Sequence, residues 1–214
     1  MPTLEFATIN LNSGVAPDDA AMLAVLHACI AEIAQADGVS GMRFMKNLPA
    51  GAQAQILGLT GLWATAEAHA AYLHSGKLTP LLADLLPFIT MGDVLHVQVG
   101  ELSAPQKELL QGAALSADFR VKAADRETFA GLAGAPAGQE WAVSGWKAPE
   151  EKSFKEAEDL GREGLGQGVK EDAPADIDHW VLFVRADERR VLEEIIDRCR
   201  SVTVDVEIQS WVGI

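Results

Sequence analysis

The sequence predicts an α+β fold in which two ferredoxin-like repeats, each β-α-β-β-α-β, pair within one chain as a pseudo-dimer. Three observations lead there. Over the first hundred residues, strand-like and helical periodicities alternate in the split β-α-β order. The run Gly58 to Trp63 is apolar, ends on a tryptophan, and meets a helix start at once. There Thr65 can cap the orphan amides and the alanines from Ala66 onward propagate the turn. A weaker echo follows from Trp141 to Trp146, with Pro149 where a first helical turn tolerates a missing amide. A strand-tryptophan-helix unit used twice implies duplication.

The elements follow in order. Leu4 to Leu11 alternates as a strand. Pro17-Asp18-Asp19 opens a helix to about Ala36, with Met22, Leu23, Leu26, Ile30 and Ile33 at helical spacing, and Gly38 ends it. A short strand covers Ser40 to Asn47, and Pro49-Ala50-Gly51 makes a turn. Gln53 to Ala64 is the next strand, Ala66 to Phe88 a helix with a bend at Gly76 or Pro80, and Asp93 to Leu102 a closing strand. This first half, residues 1–102, is joined by a connection over 103–116 to a more divergent half, 117–214.

In the second half the expected strands are Asp118 to Ala124, Glu140 to Lys147, Asp178 to Arg185 and Thr203 to Val212. Helices fall at Glu127 to Leu132, Pro149 to Leu160 and Asp187 to Arg200, and the glycine- and charge-rich Gly161 to Ala175 reads as an exposed loop. The last helix-strand pair has no evident counterpart in the first half. A four-stranded sheet covered on one face by helices leaves its other face bare. Two such faces can bury each other as a barrel whose interior offers a cavity to a small apolar ligand.

Charge and composition narrow the partners. A formal charge of −14 without a basic stripe argues against nucleic acid. No run reaches membrane-spanning length, and Met1 to Phe6 leads into a strand without a signal-like segment, so a soluble, cytoplasmic protein is expected. Cys29 and Cys199 read as buried free thiols. The chain carries no Cys-x-x-Cys, no dinucleotide or phosphate loop and no nucleophile elbow, so neither a metal nor a cofactor is expected.

The pattern Gly61-Leu62-Trp63, Glu67-Ala68-His69, Tyr72 to Ser75, then Leu81-Leu82, Leu85-Leu86 and Val94 to Val97 resembles the dimeric α/β-barrel superfamily. Within it the resemblance is to antibiotic-biosynthesis-monooxygenase (ABM)-like domains, in a tandem form common among fungal proteins. It covers residues 4–100, and 117–185 more loosely. It implies a range of activities, from cofactor-free monooxygenases of polyketide phenols to polyketide cyclases, lactone isomerases, haem-degrading enzymes and proteins without known activity. Many single-domain relatives carry a histidine where this chain has Tyr72.

Among candidate residues His96 stands first. Strand alternation groups Val94, His96 and Gln98 on one face and Leu95, Val97 and Val99 on the other. The apolar face suits the helix layer, which would turn His96 into the barrel to move a proton; a structural histidine is the alternative. His69 and Tyr72 share a helix face, where they could bind an enolate or simply pack. Trp63 and Trp146 are read as ending equivalent strands, to stack on an aromatic ligand or to plug the barrel. Arg43 either points inward and stabilises an anion or points out to a surface acid. His179, on the Val181 and Phe183 face, reads as a strand-end residue. The catalytic candidates are thus His96, Tyr72 and Arg43, and the substrate-binding ones Trp63, His69 and Trp146.

The functional expectation is a cofactor-independent enzyme that oxidises, cyclises or isomerises a polyketide-like or aromatic substrate. The alternatives are a ligand-binding or stress-associated barrel, or an assembly module that pairs as a homodimer.

Overall fold

The structure, a computed structural model, describes residues 1–47, 56–134, 136, 139–148 and 176–213. The expected turn at Pro49, the helix from Pro149 and the loop to Ala175 lie outside the described residues.

The first half contains β1 (Thr3–Leu11), α1 (Ala20–Ile33), β2 (Val39–Asn47), β3 (Ile56–Trp63), α2 (Ala66–His74), α3 (Thr79–Leu85) and β4 (Ile89–Gln98). A short α4 (Ala104–Leu109) leads to β5 (Ala114–Lys122), α5 (Arg126–Ala133), β6 (Ala142–Trp146), β7 (Ile177–Arg185), α6 (Arg189–Cys199) and β8 (Thr203–Gly213). Local chemistry explains the helix starts. Asp19 accepts from the amides of Ala21 and Met22, and Thr65 accepts from that of Ala68. Gly76, at φ 68°, takes the left-handed turn that separates α2 from α3. The expected Ala66 to Phe88 helix is thus two helices, the second ending at Leu85, and β4 begins at Ile89, earlier than the expected Asp93.

All strand pairs are antiparallel, in the order β4-β1-β3-β2-β8-β5-β7-β6. The two halves join where Met45 pairs Gly213 and Asn47 pairs Trp211. The far edges meet as well. Val97 bridges Lys147, and the Ala148 amide donates to the His96 carbonyl at 2.6 Å. The sheet is thereby closed into a barrel, without free edges along that seam.

Read as 4-1-3-2 followed by 8-5-7-6, the order is one four-strand pattern used twice. The phasing differs from the one expected. Trp63 ends β3, whereas Trp146 ends β6, which holds the place of β2. The counterpart of the β3-α2 unit is β7-α6, and the last helix-strand pair does have a first-half equivalent. A tryptophan is a poor phase marker because bulky aromatics suit either place.

Inside the barrel Leu4, Phe6, Met45, Val97, Val99, Val143, Val181, Phe183 and Trp211 form one core, onto which Leu109 and Leu110 pack. Phe6 meets Phe183 and Trp211 edge-on, at centroid distances of 5.0 and 5.6 Å. Outside, Ala7, Ile9, Leu57 and Leu59 pack against Met22, Leu26 and Cys29 of α1 and Leu85 of α3. In the second half Leu115, Ala117 and Phe119 pack against Leu192, Ile195 and Cys199 of α6. Both cysteines are free and buried.

Candidate functional site

Two polar constellations sit on opposite faces of the sheet. The outward one joins β1, β3, β4 and α2. Glu5 and His96 lie directly opposite in the β1–β4 register. The Thr65 cap sets α2 so that His69 comes down over them. The Trp63 indole N–H donates to Glu5 Oε2 at 2.8 Å, and His69 Nε2 lies 3.4 Å from the same oxygen. His69 Nδ1 and His96 Nε2 are 3.1 Å apart. The Trp63 ring stacks on His69 at 4.4 Å.

All four side chains are buried, with His69 only 3 % exposed. Burial raises the Glu5 carboxyl above its ordinary value, against the opposing pull of His96 and the Trp63 hydrogen bond. Burial holds the His69 and His96 imidazoles down, each to about 3.

His96 therefore does not line the barrel as expected. Leu95, Val97 and Val99 belong to the inward core, and His96 turns outward to meet α2. Alternation fixes which residues share a face. It cannot say which face is inside when both are covered. Tyr72 stays beside this cluster, 5.7 Å from the Trp63 ring, and its buried hydroxyl has no hydrogen-bond partner among the described residues. Burial pushes the phenol up to about 12.

The structure separates the remaining candidates. Arg43 points inward, where its guanidinium fills the space a Cβ on Gly213 would need. Its Nε is buried without a partner among the described residues, and Arg43 does not line the cavity. Trp146 stands in the outer layer of the second half, edge-on to Phe129 at 5.5 Å with Arg126 4.4 Å above its ring. Neither it nor Trp63 plugs the barrel.

The inward constellation surrounds a cavity of about 260 Å³ between the two half-sheets. Phe6, Ile56, Leu95 and Val181 supply apolar wall, and Asp93, Asp118, Glu207 and Gln209 supply polar wall. Asp118 accepts from His179 Nδ1 at 2.9 and 3.1 Å. Val181, two residues along β7 from His179, is part of the wall. Gln209 Nε2 donates to Glu207 Oε1 at 2.6 Å, and the Trp211 indole donates to Ser116 at 2.7 Å. Arg120 reaches Asp205 at 3.3 Å and Glu207 at 3.6 Å. A carboxylate that fixes one imidazole nitrogen leaves the other to take or give a proton.

Sequence reasoning missed Glu5, Asp118, Glu207 and Gln209. Glu5 carried a signal, as an acid on the strand face that Ala7 and Ile9 share. Asp118 did not, since only the β5–β7 pairing brings it to His179. Among the described residues, no group of three or more His, Cys, Asp or Glu side chains is placed to hold a metal. No described helix is long and apolar enough to cross a membrane.

No family model and no curated protein matches the sequence. Solved structures do resemble the fold. A candidate monooxygenase from Fusobacterium nucleatum aligns at TM-score 0.61 and 8 % identity, over 99 % of this chain and 92 % of the other. An anthrone oxidase-like protein aligns at 0.57 and 9 %, over 99 % and 91 %. A chlorite dismutase variant from Candidatus Nitrospira defluvii aligns at 0.55 and 11 %, over 100 % and 91 %. At such identities the likeness concerns the fold, which is of the dimeric α/β-barrel type.

Proposed function

We propose that this protein is a small-molecule enzyme of the ABM-like kind, working by proton transfer inside the barrel. Its substrate is a neutral polyketide-like or aromatic molecule. The observation that carries this reading is Asp118, which lines a cavity of about 260 Å³ and accepts a hydrogen bond from His179, two residues along β7 from the lining residue Val181. That volume is slightly below the ~300–1,000 Å³ of drug-sized sites and suits a compact ring system. The lining holds three carboxylates and, among the described residues, no cation, which disfavours an anionic substrate.

In this reading Asp118 orients the imidazole, and His179 removes a proton from an acidic C–H or O–H of the substrate. The resulting enolate or phenolate can then reprotonate elsewhere, as in isomerisation, or attack within the molecule, as in cyclisation. With dioxygen as co-substrate it can be oxidised. Structural likeness to candidate monooxygenases and an anthrone oxidase-like protein makes oxidation the first reaction to try. Anthrone in aerated buffer is the direct test: its methylene becomes a carbonyl as one dioxygen is consumed and water leaves. Turnover by the native protein that His179→Gln abolishes is the expected result. Binding without turnover across ketone, phenol and lactone substrates would make the barrel a ligand carrier instead.

A further inference from the structure

The Glu5–His69–His96 chain lies outside the cavity and takes no part in the proposed chemistry. The second half supplies an internal control. Beneath α6 the corresponding face of the sheet is apolar, built from Leu115, Ala117 and Phe119 against Leu192 and Ile195. The fold therefore does not require an ionisable cluster under this helix.

We infer that this chain is a proton-counting latch that holds α2 on the sheet and lets it open on acidification. His69 uses both ring nitrogens, Nε2 toward Glu5 and Nδ1 toward His96. The 3.1 Å link needs one nitrogen to donate and the other to accept, so one proton fits between the rings. An imidazolium at His69 can still donate to both neighbours. Protonating both rings sets two N–H groups against each other in a buried site without an acceptor between them. Opening α2 relieves this, because the rings then carry their charge in water.

Among the described residues, the groups facing the pair come from several packed elements. Glu5 comes from β1, the Trp63 N–H from β3, Tyr72 from α2 itself, and Lys147 from the segment after β6. Glu5 favours the first added proton, whereas Lys147 opposes charge on His96. Glu32 and Cys29 of α1 act on Tyr72.

The test is hydrogen exchange of native protein between pH 7 and 5, corrected for intrinsic exchange rates. This readout needs no substrate, so it stands whether or not the barrel is an enzyme. The α2 amides from Ala70 to His74 should open about tenfold more often per pH unit for each histidine released, below about pH 6.5. The α6 amides should change little. His96→Gln, which keeps a polar partner for His69 but cannot titrate, should remove about one tenfold factor per unit. An α2 response no steeper than that of α6, or an unchanged slope in the variant, would overturn the latch. If His96→Gln fails to fold, the comparison of α2 with α6 in the native protein decides alone.

Discussion

His69 and His96 meet nitrogen to nitrogen at 3.1 Å on the outward face of the first half-sheet, with Glu5 behind them. The residue type best suited to proton chemistry thus occurs on both faces of the barrel wall. His179 is oriented by Asp118, a carboxylate that lines the cavity.

Glu5 accepts from the Trp63 indole and lies 3.4 Å from His69 Nε2. Glu5→Ala removes the acceptor of the buried Trp63 indole N–H, which costs about 1–3 kcal/mol. In a chain of this size the melting temperature should fall by several degrees, at roughly 2–4 °C per kcal/mol. Glu5→Gln keeps a carbonyl acceptor and should lose less. Thermal melts of the two variants side by side check this; equal losses would mean that Glu5 contributes only its volume.

Acid should weaken the fold before the carboxylates titrate. His69 and His96 have folded values of about 3, held down by burial, against an ordinary 6.5. Between those limits the unfolded chain binds protons that the folded one refuses, so stability falls as pH falls. The slope is at most about 1.4 kcal/mol per pH unit for each ring. Glu5 acts in the opposite sense. Its raised value makes its contribution largest at low pH, and this is lost as pH rises through the folded pKa. Urea titrations from pH 7.5 to 4.5 should show a falling midpoint, and His69→Gln should flatten the fall.

The barrel seam has its own test at Gly145. A Cβ there would collide with the carbonyl oxygen of Gln98 and crowd Val97, across the join of β6 to β4. Backbone cannot swing aside as a side chain does, so Gly145→Ala should destabilise by about 1–3 kcal/mol, as overpacking does. A chemical-denaturation midpoint equal to that of the native protein would show that the seam is loose.

Much of the fold was legible in the sequence, because periodicity and caps are local. Thr65 caps the helix it was expected to cap, the helix opened by Pro17-Asp18-Asp19 starts as expected, and the break at Gly76 follows from its left-handed turn. The phase of the second repeat was not legible, since Trp146 mimics Trp63 while belonging to a different strand. The site was harder. His69, Tyr72, Trp63 and His96 do come together, but outside the barrel, because alternation along β4 cannot tell inside from outside when both faces are covered. Asp118 meets His179 only through a pairing between strands some sixty residues apart.

Aerobic turnover of anthrone by His179→Gln and His96→Gln, measured beside the native protein, tests the central claim most directly. The proposed function predicts that His179→Gln loses about 10²–10⁴-fold in kcat/KM, the usual range for a missing general base. His96→Gln should keep activity within a few-fold. Loss in His96→Gln, with activity intact in His179→Gln, would contradict the assignment and move the chemistry to the outward face.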